Sequence, residues 1–76
     1  MGVLEDLADD LAKDALAFAD EADDTHVVDE ISTIVGATSS TLQEAYLTSI
    51  RMRIAEARGR QLLEDKIVRV KTDKKA

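Results

Sequence analysis

The sequence predicts an all-α fold, a small three-helix bundle with a short second helix and a long C-terminal helix. Three observations carry this. Among 76 residues there is no proline and only 3% are aromatic, while Ala, Leu, Glu, Asp, Lys and Arg dominate, all but Asp good helix formers. Apolar residues recur at helical spacing in three stretches, and no stretch reads as a strand. Between the stretches lie ADEADD and GATSS, where acidic crowding at a helix end and a Gly followed by hydroxyl residues interrupt the pattern.

The first helix is expected over residues 3–22. Leu4, Leu7, Ala8, Leu11, Ala15, Phe18, Ala19 and Ala22 form one stripe at 100° per residue, with Asp6, Asp9, Asp10, Lys13 and Asp20 turned away from it. Glu5 and Asp6 suit the positive end of the helix dipole. The second helix is expected over 26–35, capped by Asp24 or Thr25, with a stripe of Val27, Val28, Ile31, Ile34 and Val35. Gly36 is expected to end it in a left-handed conformation. The third helix is expected over 40–67. Ser40 with Gln43, or Thr41 with Glu44, matches a capping box at its start. The expected core is Leu4, Leu7, Leu11, Phe18, Val28, Ile31, Val35, Leu42, Tyr46, Ile50 and Ile54. Residues 1–70 make a single helical domain in this reading, and 71–76 a charged, flexible tail.

A chain of this length buries only about 60% of its unfolded surface, so its stability is marginal without reinforcement. There is no Cys for a disulfide, and His26 is the only imidazole, which excludes a structural zinc site. The acidic run at 20–24 lacks the spaced ligands, central Gly and closing Glu of a calcium loop. No metal or cofactor is expected. Oligomerisation is the remaining route to a larger core.

The third helix carries the residues for it. Leu42, Tyr46, Leu47, Ile50, Ile54 and Ala57 form a first face. Met52, Ala55, Gly59, Leu62, Leu63 and Ile67 form a second, in line with Ala45 and Val70. Either Gly59 breaks the helix and the later residues fold back onto the core, or the helix is continuous and the second face meets another chain. The second is the preferred reading, because Ala55 and Gly59, one turn apart, allow close approach of a helix. Those six residues are the expected partner-binding set, with a protein or a second copy of the chain as partner.

Charge is polarised along the chain. Residues 1–36 hold eleven acids against Lys13, net -10, and residues 37–76 hold nine bases against five acids, net +4, for a total of -6. Part of this is expected to neutralise between neighbouring helices. The start MGVLEDLADD lacks the basic flank of a secretory signal and no apolar run reaches the roughly 18 residues of a membrane span, so a soluble, cytoplasmic protein is expected.

Residues 28–47, VDEISTIVGATSSTLQEAYL, place Ile31, Val35, Ala37, Leu42 and Ala45 at apolar positions, Ser32 at a small position and Gly36 at a turn. In this they resemble the helix-turn-helix motif of DNA-binding transcriptional regulators. The resemblance covers about a quarter of the chain, and implies that Thr38, Ser39, Ser40, Gln43 and Glu44 would face the major groove, with Arg51 the first base after them. That face carries no Lys or Arg, and phosphate neutralisation supplies most nonspecific DNA affinity. The leading expectation is therefore a noncatalytic protein-interaction or regulatory module, and a DNA reader is the runner-up. No enzymatic signature is present: Ser32, Ser39 and Ser40 have only His26 as a base, and no Ser stands in the Asp-Ser-Leu setting of an acyl carrier protein.

Overall fold

The computed structural model describes residues 2–75, and side chains as far as Asp73. It consists of α1 (Val3–Ala22), α2 (Val27–Thr38) and α3 (Ser40–Lys75), without a strand among the described residues. Each helix packs on the other two. The molecule measures 58 × 30 × 13 Å. Its long axis is α3, whose 36 residues span about 54 Å at 1.5 Å per residue.

α1 starts at Gly2, whose carbonyl accepts the Asp6 N–H at 3.1 Å, and Glu5 and Asp6 lie in the first turn as expected. Its end is a Schellman turn. The Asp24 N–H donates to the Ala19 carbonyl at 2.9 Å and the Asp23 N–H to Asp20 at 3.4 Å, with Asp23 left-handed at φ 52°. Asp tolerates that region because its short polar side chain bonds locally. Asp24 Oδ1 then accepts the N–H groups of His26 (2.8 Å) and Val27 (3.1 Å), so Asp24 caps the second helix as expected.

α2 does not end at Gly36. That residue is right-handed and the helix runs on to Thr38, where Ser39 turns extended (φ -147°, ψ 106°). Its missing side chain instead leaves room for the Gln43 amide: a Cβ there would stand 2.6 Å from Cδ of Gln43, so that side chain would have to shift. The start of α3 is also corrected. Ser39, not Ser40 or Thr41, is the cap, its Oγ accepting the Leu42 N–H at 3.1 Å. Gln43 forms no box with Ser40. Its Nε2 donates to the Ser32 carbonyl at 2.9 Å and to Ser32 Oγ at 3.3 Å. α3 then passes unbroken through Gly59 to Lys75, beyond the end expected at 67 and into the segment expected as a tail.

The core sits where α1 and α2 cover the first third of α3. Tyr46 and Ile50 are buried against Ala8, Ala12 and Ala15, with Leu11, Leu16, Val28, Ile31, Leu42, Ala45 and Leu47 packed around them. Of the expected core, Leu4, Leu7, Phe18 and Ile54 are instead exposed, Phe18 by 53% and Leu7 by 56%. α1 is rotated so that its alanine edge faces in. The reason is size matching: the phenol of Tyr46 is the bulky group at the crossing, and small residues opposite it let the helices close. The Tyr46 hydroxyl donates to the Val28 carbonyl at 2.9 Å, tying α3 to α2. Burial, aided by the charge of Asp29, pushes that phenol above its ordinary pKa.

Candidate protein-interaction surface

From Ile54 to Asp73 every residue of α3 is exposed. This part of the helix is an arm that leaves the bundle and touches neither α1 nor α2 with a buried side chain. Local pairs support it: Arg60 bonds Glu56 at 2.7 Å, and Gln61 bonds Asp65 at 3.0 Å, both four residues apart. The helix is unbroken from Ile54 to Val70, Gly59 included, and a Cβ built on Gly59 meets nothing within 4 Å.

On this arm the six expected residues share one face. Met52, Leu62, Leu63 and Ile67 are 67%, 59%, 55% and 43% exposed. Ala55 and Gly59 lie exposed between them. The alternative in which Leu62, Leu63 and Ile67 return to the core after a kink is excluded by the unbroken helix. Val70 continues the stripe, standing eighteen positions after Met52, which is five turns at 3.6 residues per turn.

The stripe runs into a feature that the residues alone did not suggest. Toward the bundle, α3 and the start of α1 enclose an open cleft of about 620 Å³ lined by Glu5, Asp6, Asp9, Ala45, Thr48, Ser49, Met52, Arg53 and Glu56. Its floor is the second face of α3, and its rim is mostly carboxylate. One rim pair is fixed: Arg53 donates from Nε to Asp9 Oδ1 at 2.9 Å and from Nη2 to Oδ2 at 2.8 Å. This two-point grip, reinforced by the positive charges of Arg53 and Lys13, holds the Asp9 carboxyl below the usual carboxylate range. It also raises the Arg53 guanidinium further. The pair is one instance of the neutralisation expected between the halves. A signal for the cleft exists in the sequence, since Ala45, Thr48, Met52 and Ala55 follow each other at helical spacing, but the α1 carboxylates come from more than thirty residues away.

Of the residues of the helix-turn-helix comparison, Thr38, Ser40, Glu44 and Arg51 are exposed and Ser39 and Gln43 half-buried. Gln43 spends its amide N–H groups on Ser32, Ser39 caps α3, and Thr38 belongs to the last turn of α2. Among the described residues no three Asp, Glu, His or Cys side chains converge as a metal site would require, and no helix is long and apolar enough to cross a membrane.

Fold and surface together define an all-α three-helix chain with a projecting helical arm. No family model, curated protein or solved structure matches it.

Proposed function

We propose that this protein is a noncatalytic interaction module that associates with a second copy of itself through the exposed face of α3. The observation that carries this is the arm itself. Leu62, Leu63, Ile67 and Val70, in line with Met52 beside the bundle, form an apolar stripe exposed along the arm. Contiguous exposed apolar surface of this kind marks interaction sites. A lone helix of about 20 residues is marginal in water, and most helical stability in proteins comes from packing an apolar face. Small chains without disulfides or metal gain stability by association. The same surface chemistry suits a soluble, cytoplasmic protein that takes neither cofactor nor nucleic acid.

Leu63→Asp tests the reading. It places a charge in the centre of the stripe without touching Tyr46, Ile50 or the α1 alanines. Wild type should sediment as a dimer and Leu63→Asp as a monomer, with far-ultraviolet circular dichroism still reporting a folded bundle. A wild-type chain that stays monomeric at millimolar concentration would refute self-association.

A further inference from the structure

We propose that two copies pair antiparallel, the arm of each lying in the cleft between α1 and α3 of the other. This rests on the self-association argued above and adds its direction and the site each arm occupies.

The direction follows from where charge lies along the rod. Residues 1–56 hold thirteen acids against Lys13, Arg51 and Arg53, net -10, whereas residues 57–76 hold seven bases against three acids, net +4. Parallel pairing sets arm beside arm and body beside body, so like charges meet at both ends. Antiparallel pairing sets each basic arm against an acidic body, and a two-fold axis allows both contacts at once. The cleft gives the arm a place to lie. Its rim carries Glu5, Asp6, Asp9 and Glu56 against Arg53 alone, and the arm carries Arg58, Arg60, Lys66, Arg69 and Lys71.

Shape agrees with charge. The stripe follows one continuous helix from Ala45 in the cleft to Val70 on the arm, about 38 Å, with Thr48 and Lys66 set among its apolar residues. Its narrowest part is Ala55 and Gly59, where two helix backbones approach most closely, and nothing lies within 4 Å of a Cβ built on Gly59. A two-fold axis beside Gly59 sets Leu63 opposite the partner's Ala55 and Val70 opposite the partner's Thr48. Leu63 and Val70 then meet smaller residues, while Met52 lies opposite the partner's Lys66 and Leu62 opposite the partner's Glu56. Val70 lies over the part of the cleft floor around Thr48, and each cleft is complete only when the second copy fills it.

The chain has no Cys, so single cysteines report the geometry without background. Thr48→Cys and Val70→Cys proteins, both at exposed positions, are mixed and treated with a short bis-maleimide, with each variant alone as a control. The expected result is that the mixture yields the cross-linked Thr48→Cys with Val70→Cys pair, several-fold above either homodimer. Association should also weaken several-fold between about 50 and 500 mM salt, because the charges at the rim are exposed and screened. A sedimenting dimer in which Val70→Cys cross-links to itself means parallel pairing, and overturns this proposal while leaving self-association intact. A dimer with neither product also overturns it. A monomer by sedimentation overturns both.

Discussion

Gly36 stands inside α2 with an ordinary helical backbone, so its value lies in the missing side chain rather than in conformational freedom. The Gln43 amide occupies the space a Cβ would take and bonds the carbonyl and hydroxyl of Ser32, itself only 8% exposed. Gly36→Ala therefore brings two opposing effects. The helix gains about 1 kcal/mol of propensity, while displacing the amide loses bonds worth about 1 kcal/mol each and adds crowding. In the wild-type background Gly36→Ala should destabilise by about 1 kcal/mol. In a Gln43→Ala background the obstruction is gone and the same change should stabilise by about 1 kcal/mol. Urea unfolding of the four proteins checks this, and an equal effect of Gly36→Ala in both backgrounds would show that Gln43 is not what the glycine accommodates. The sequence marks Gly36, Ser32 and Gln43 as significant, but for a turn and a capping box. Their contact joins residues eleven apart, and local pattern carries no information on which way a glutamine folds.

At the level of helices, number and order are legible because stripe, cap and composition agree for each. The first helix has its expected ends, and Asp24 caps the second as expected. What is not legible is the rotation of α1. Ranking by hydrophobicity centres its stripe on Leu4, Leu7, Leu11 and Phe18, yet packing is decided by fit, and Tyr46 and Ile50 leave room only for Ala8, Ala12 and Ala15. The two accounts separate cleanly by mutation. Ala12, 0% exposed, has no space to grow, so Ala12→Leu should cost about 1–3 kcal/mol through overpacking. Leu7→Ala should cost no more than about 0.5 kcal/mol, the usual range for surface changes. Thermal unfolding compares them, and a Leu7→Ala loss of 2–5 kcal/mol, the range for a buried leucine, would restore the leucine face to the core. The end of α3 is a second miss. Continuity through Gly59 is the reading the sequence favours and the structure has, because Gly lowers helix propensity without forbidding it; what is missed is the end, at Lys75 instead of 67.

Taken whole, the molecule is a compact bundle around the first third of a helix and a bare arm formed by the rest. The bundle has an internal reason to be folded, in the Tyr46 and Ile50 core and the Arg53–Asp9 pair. The arm has local pairs and an exposed apolar face, and in the proposed pairing the charge polarity of the chain favours a second copy reversed end to end. The central claim is that this face is covered in the working protein. Amide hydrogen exchange, read residue by residue at micromolar and at millimolar protein, tests it most directly. If the arm is paired, protection over 55–70 rises steeply with concentration, from little at micromolar protein, whereas amides around Tyr46 are already protected there by the bundle core. Fast, concentration-independent exchange over 55–70, beside a protected bundle, would mean that nothing covers the arm and would contradict the account.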